Sequence, residues 1–306
     1  MRATASLFDR EQELRRIGEG LASAAAGSGS FLVVSGESGM GRSALADAAA
    51  DDAERRGLLV LRVRGSHSER GLPFGLTRRL FLAALNRLGD EAKARILADV
   101  PTAAALLCPA ARDIPPPPAG LLRDLDALHM LLSAAIPHCP GQAALIAVDD
   151  VQWADEPSLR WLTTLAERAG SLPVMLLATR CLGAEGDTPE LLEELLFTCS
   201  DDLRLTPLSG AGVAAWLAGA LSERPCDSFV AACEAETRGN PLLLSVLAAH
   251  LGRTRPVPDP ETVGLLPDAT AEVVTRWARV GLRRTSADAP AVLRAVALLD
   301  GGATPD

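Results

Sequence analysis

The most constraining feature of this sequence is a short apolar run that breaks into a glycine-rich turn. Phe31-Leu32-Val33-Val34 has the β-branched, apolar character of a buried strand. It leads into Gly36-Glu37-Ser38-Gly39-Met40-Gly41-Arg42-Ser43, and Ala44 to Arg56 then reads as a helix. Strand, glycine turn and helix in that order have the spacing of a phosphate-binding loop, with Arg42 where lysine is expected. Glycines let the backbone curl so that its N–H groups point inward, and the helix N-terminus adds partial positive charge. Gly36, Glu37, Ser38, Gly39, Met40, Gly41, Arg42, Ser43 and Ala44 are therefore the candidate phosphate contacts, and the Ser43 hydroxyl is a candidate Mg²⁺ ligand.

Arg42 bears on turnover. Lysine is a compact point charge, whereas arginine is longer, planar and forked, so the exchange is not conservative at a tight site. Composition supplies a second explanation. Of 30 basic residues only Lys93 is lysine, which reads as a coding bias toward arginine. The two readings are a drifted but working loop and a loop that binds nucleotide with slow or absent hydrolysis. Other readings of the same residues are weaker. Gly39 to Ala44 also fits GxGxxA, but a dinucleotide fold wants an acid at the end of the next strand, which carries Arg62 and Arg64. A nucleophile elbow needs glycine at Met40. A glycine turn that binds nothing stays open.

Leu145-Ile146-Ala147-Val148-Asp149-Asp150 is the second signal. It reads as a buried strand beside the phosphate-loop strand, presenting two carboxylates at the sheet edge where ligands bind. Asp149 is the candidate metal ligand, directly or through water. Asp150 is the candidate catalytic group that orients or deprotonates water. A helix cap would also explain Asp-Asp at this place. Thr179-Arg180 ends a further strand at the same edge, and Arg180 is the candidate γ-phosphate sensor. Pro241 opens a later helix after Gly239-Asn240, as a turn or as a surface for a nucleobase.

Strands at 31–34, 58–63, 144–148, 174–178 and 203–205, separated by helices, predict an α/β fold with a parallel sheet of about five strands flanked by helices. The expected organisation is a P-loop nucleotide-binding domain over 1–206, with a helical insert over about 70–140. A small all-helical lid follows over 207–252, then a linker and the start of a truncated winged helix over 253–306. Pro115 to Pro118 predict a polyproline bend within the insert.

A net charge of -9 argues against this segment gripping a nucleic-acid backbone. No apolar run reaches the ~18 residues that span a bilayer. The start carries no signal-peptide core. Six scattered cysteines without a CxxC pair read as reduced thiols of a cytoplasmic protein. The four histidines and four tryptophans read as surface or packing residues.

These residues together resemble the ATPase module of the large ATP-binding LuxR-type (LAL) transcriptional regulators, signalling P-loop ATPases of the STAND class. The resemblance is carried by Leu7 to Leu14, similar to that family's opening GRExEL, and by the loop at 36–43 and Gly71-Leu72-Pro73-Phe74. It is carried above all by Val148-Asp149-Asp150-Val151-Gln152-Trp153-Ala154-Asp155, then by Ala178-Thr179-Arg180 and Arg238-Gly239-Asn240-Pro241-Leu242. It implies bound ATP or ADP with Mg²⁺, nucleotide contacts at Phe8, Arg10, Thr179 and Pro241, and nucleotide-dependent opening or homo-oligomerisation. It also implies DNA binding by another part of a longer chain. Arg42 in place of lysine and Asp9 in place of glycine depart from the pattern. A nucleotide-free interaction scaffold and a small-molecule kinase are the alternatives.

Overall fold

The computed structural model describes residues 7–68, 71–107, 120–184, 188–221, 224–254 and 262–266. The polyproline segment, the 255–260 linker, the helical stretches expected at 268–282 and 289–299, Cys108 and Trp277 lie outside them. The chain divides into two compact units between Thr206 and Pro207.

The first unit begins with α1 (Glu11–Ala25), β1 (Ser30–Gly36), α2 (Arg42–Arg55) and β2 (Leu59–Arg64). Four helices follow: α3 (Gly75–Arg87), α4 (Asp90–Asp99), α5 (Pro101–Leu107) and α6 (Leu121–Ala135). The unit closes with β3 (Ala144–Asp149), α7 (Glu156–Arg168), β4 (Val174–Cys181), α8 (Pro189–Phe197) and β5 (Asp201–Arg204). Five strands pair in parallel in the order β2-β3-β4-β1-β5.

That order corrects one expectation. β3 does not lie beside the phosphate-loop strand, because β4 is inserted between them. Apolar composition marks a strand as central without naming its neighbours. The insertion sets Thr179, on β4, between the loop that follows β1 and the carboxylates that end β3. α8 is an addition to the elements expected from the sequence. Its Glu-Leu-Leu-Glu-Glu-Leu-Leu run has helical spacing, and Pro189 stands in its first turn.

Each strand alternates its side chains between two cores. Phe31, Val33, Ile146, Val148, Leu176 and Ala178 face the core built with α3, α6 and α7, where Leu80, Phe81, Leu128 and Trp161 are buried. Leu32, Val34, Leu145, Ala147, Met175 and Leu177 face Ile17 and Leu21 of α1 and Leu45 and Ala49 of α2. Buried Ala46, Ala49, Ala50 and Ala53 let α2 pack close against the sheet. Both faces of the central strands are covered, which is the condition for an all-parallel sheet.

The second unit contains α9 (Gly210–Ala220), α10 (Asp227–Thr237) and α11 (Pro241–Thr254), then a 3₁₀ turn at Thr262–Leu265. Val213, Leu217, Phe229, Cys233, Leu244 and Leu247 are buried. Asn240 caps α11, its Oδ1 accepting from the Leu242 N–H at 3.0 Å and the Leu243 N–H at 3.3 Å. Gly239 has φ +67°, and a Cβ there would meet the Leu208 carbonyl oxygen at 2.3 Å. The Gly-Asn-Pro sequence is therefore a built turn and helix start.

Candidate nucleotide-binding site

The loop between β1 and α2 has left-handed backbone at Gly39 (φ 87°) and Gly41 (φ 91°). Gly41 immediately precedes α2, so the first-turn amides of Arg42, Ser43 and Ala44 have no intrahelical acceptor. Met40 is buried and anchors the loop, while Glu37 is exposed.

Arg10, only 4% exposed, fixes the loop from outside. Its guanidinium donates to the carbonyls of Asp9 at 2.8 Å, Met40 at 3.3 Å and Thr206 at 2.6 Å. The resemblance implies Arg10 as a nucleotide contact, and here its donors go to backbone carbonyls, one of them inside the phosphate loop. Asp9 has φ 54°, a left-handed conformation natural to the glycine that it replaces in the resembled pattern. Phe8 lies beside it, half-buried.

Across the sheet edge, the Ser43 hydroxyl donates to Asp149 at 2.8 Å. The Thr179 hydroxyl donates to Asp149 Oδ1 at 2.6 Å and accepts from the Asp150 N–H at 2.8 Å. Both carboxylates are buried, so each needs charge or hydrogen-bond partners. Asp150 has several. Arg42 Nη1 lies 3.3 Å from its Oδ1, and Arg64 reaches its Oδ2 through Nη2 at 2.8 Å and Nε at 3.0 Å. The Gln152 amide donates to Oδ1 at 3.3 Å. Asp150 itself adopts φ 53°, a conformation that aspartate tolerates better than most residues.

Arg64 pairs in register with Asp149 across β2 and β3, and the Asp150 carboxylate raises its pKa further above the ordinary arginine value. In the sequence, Arg62 and Arg64 only argue against a dinucleotide fold. The signal that would have found Arg64 is a polar residue alternating out of a buried strand at its C-terminal end, where ligands gather.

The structure thus brings Arg42, Ser43, Asp149, Asp150 and Thr179 together. It turns Arg180 elsewhere. Alternation along β4 separates it from Thr179, and its guanidinium pairs with Glu193 of α8 at 2.9 Å. Pro241 belongs to the second unit and begins α11. Among the described residues no group of three or more His, Cys, Asp or Glu side chains is arranged to hold a metal. Nor, among the described residues, is any helix long and apolar enough to cross a membrane.

The motif's last acid serves the scaffold. Buried Asp155 caps α7, accepting from the Ser158 N–H at 3.1 Å and hydroxyl at 2.8 Å. It also accepts from the N–H groups of Phe74 at 2.8 Å and Leu76 at 3.0 Å, tying the Gly71 to Phe74 segment to the carboxylate strand.

No curated protein matches this chain. Among solved structures it is similar to the Orc1 protein of Aeropyrum pernix in complex with DNA, with a TM-score of 0.52 and 19% identity over 99% of this chain and 75% of that one. It is similar to the Orc2 protein of the same organism in ADPNP–ADP complexes, with a TM-score of 0.51 and 14% identity over 87% and 68%. The RuvB branch-migration motor of Thermotoga maritima gives a TM-score of 0.46 at 13% identity over 88% and 69%. At such identities the two Orc likenesses speak for the fold alone, a P-loop ATPase fold with a five-stranded parallel sheet. The AAA ATPase domain family matches residues 6–177, more than half of the 306, and the chain belongs to that family.

Proposed function

We propose that this chain is a nucleotide-controlled switch module that holds ATP or ADP with Mg²⁺ and hydrolyses ATP slowly or not at all. We place it in a cytoplasmic bacterial transcriptional regulator of the LAL type, with DNA bound by another part of the full protein. The observation that carries the reading is the contact between Arg42 and Asp150. The cation expected on the phosphates is held by the acid expected to orient water. Nucleotide binding and the resting arrangement of Asp150 therefore compete for one guanidinium.

The oxygens of Ser43 and Asp149 suit Mg²⁺, which prefers hard oxygen ligands and takes few from the protein when phosphates supply the rest. Held by these residues, the ion would neutralise negative charge on the nucleotide's phosphates. The loop amides and the α2 N-terminus bind the phosphates. Arg42 leaves Asp150 to reach them, and Arg64 keeps Asp150 in place as the group that accepts a proton from water. Thr179 holds Asp149 in orientation. Arg180 acts as a sensor only after leaving Glu193, and its Nε is buried without a hydrogen-bond partner among the described residues. Phe8 is the apolar contact proposed for adenine, with Arg10 acting through the loop backbone. Nucleotide state sets homo-oligomer formation.

The same ion pair favours one second reading, a nucleotide-free scaffold whose loop cation is permanently neutralised. Titration calorimetry with ATP and ADP, with and without Mg²⁺, separates the two. The switch predicts micromolar or tighter binding whose magnesium-dependent part is lost in Ser43→Ala and Asp149→Ala. The scaffold predicts no heat of binding from folded, nucleotide-free protein.

A further inference from the structure

We propose that Gln152 is a positioning residue that couples the phosphate loop to the carboxylate of Asp150; this rests on the nucleotide-binding reading above. Gln152 is 4% exposed, and its side-chain amide bridges two elements. Its Nε2 donates to Asp150 Oδ1 at 3.3 Å, and its Oε1 accepts from the Cys181 N–H at 3.4 Å. Only one orientation of the amide satisfies both ends. Reversed, it would set oxygen against a carboxylate and NH₂ against an N–H.

The bridge closes a ring. The next residue, Leu182, donates its N–H to the carbonyl of Gly36 at 3.0 Å, where the phosphate loop begins. Arg42, near the loop's end, donates to the same Asp150 Oδ1 that Gln152 holds. Gly36, Leu182, Cys181, Gln152, Asp150 and Arg42 thus run from one end of the loop to the other through the end of β4. Arg64 holds the second oxygen, Oδ2. When phosphate draws Arg42 away, Oδ1 retains Gln152 as its donor, and the carboxylate keeps its aim. The links at 3.3 to 3.4 Å are long for hydrogen bonds, which suits contacts that re-form as the loop fills.

A double-mutant cycle on ATP affinity tests this without relying on turnover. Gln152→Leu removes both bonds at similar volume. Asp150 Oδ1 then depends on Arg42 alone, and ATP binding weakens about 10-fold or more, the scale of one hydrogen bond to a charged group. In an Asp150→Ala background the same substitution has no further effect. Gln152→Glu keeps the acceptor toward Cys181 but sets a carboxylate against Asp150. The charged groups around it are Asp150, Arg42 and Arg64, with the Arg180–Glu193 pair next to Cys181 in the chain. Its loss of affinity is large at alkaline pH and shrinks below about pH 6, where the introduced acid protonates and donates again.

Thermal melts by circular dichroism check folding, and the Glu series stands alone if the Leu variant does not fold. An undiminished effect of Gln152→Leu without Asp150, or a Gln152→Glu loss that is the same at every pH, would overturn the coupling while leaving the switch intact. Failure of the parent chain to bind ATP would overturn the switch, and the coupling with it.

Discussion

Arg42 of the phosphate loop and Asp150 at the end of β3 lie 108 residues apart in sequence and 3.3 Å apart in space. Both side chains are 11% exposed. An ion pair so shielded has little water to replace either partner, so separating the two is costly unless another charge takes over. Phosphate is such a charge for Arg42, and Arg64 already is one for Asp150.

Arg42→Lys tests whether the forked cation is what slows chemistry. Arg42 reaches Asp150 through one guanidinium nitrogen, whereas lysine is shorter and sits as a point charge between phosphates. Steady-state phosphate release is expected to rise about 10-fold or more, on the scale of one repositioned charge contact. Unchanged release would place the defect elsewhere.

Gly65→Ala tests how tightly the carboxylate strand is seated. Gly65 donates its N–H to the Asp149 carbonyl at 2.7 Å, and a Cβ on it would meet the Asp150 carbonyl oxygen at 2.3 Å. The backbone at Asp150 must shift, so urea denaturation is expected to show a loss of about 1–3 kcal/mol. ATP affinity falls with it. Full stability and affinity would mean that the edge is more yielding than its close approach implies.

Asp155→Ala removes an acceptor that serves four donors on two helices. Buried N–H groups left without a partner cost about 1–3 kcal/mol each before relaxation, so the melting temperature should drop by several degrees. Asp155→Asn keeps an acceptor oxygen and should recover part of the loss. Equal losses in the two variants would argue against the capping account.

Cys233 reports on the helical second unit. It is fully buried, and burial together with nearby Glu236 pushes its thiol up to about 12. The folded chain therefore keeps this group protonated, and native Cys233 should resist thiol reagents at pH 8 while the unfolded chain reacts. The raised pKa also gives a sign for stability. Its contribution is complete below the ordinary thiol pKa of 9.0 and is lost as pH rises toward about 12. Rapid native alkylation at pH 8 would show that the unit opens readily.

The central strands were legible because burial on both faces leaves few polar positions to confuse the pattern, as in β3, where all six residues are buried and only the last, Asp149, is polar. The neighbour of β3 was not legible, since nothing in Leu145 to Val148 says whether β1 or β4 lies beside it. The loop and the acids declared themselves through glycine spacing and an apolar run ending in Asp149-Asp150. Arg64 and Gln152 did not, because their roles depend on strand register and on the end of β4, both long-range facts. Arg10 was visible as a motif residue, but its three carbonyl partners come from the turn at Asp9, the loop at Met40 and the end of the unit at Thr206. Arg180 shows the same limit. Its place at a strand end is readable, but its pairing with Glu193 depends on how α8 packs after β4, a tertiary fact.

The most direct test of the competition between phosphate and Asp150 is a titration of the parent chain and Asp150→Asn with ATP and Mg²⁺. The asparagine keeps the shape of the side chain and removes the charge that holds Arg42. The account predicts that the free variant melts lower than the parent and binds ATP about 5- to 10-fold more tightly, because Arg42 no longer has to be drawn from a buried carboxylate. Equal or weaker ATP binding by a folded Asp150→Asn chain would contradict it.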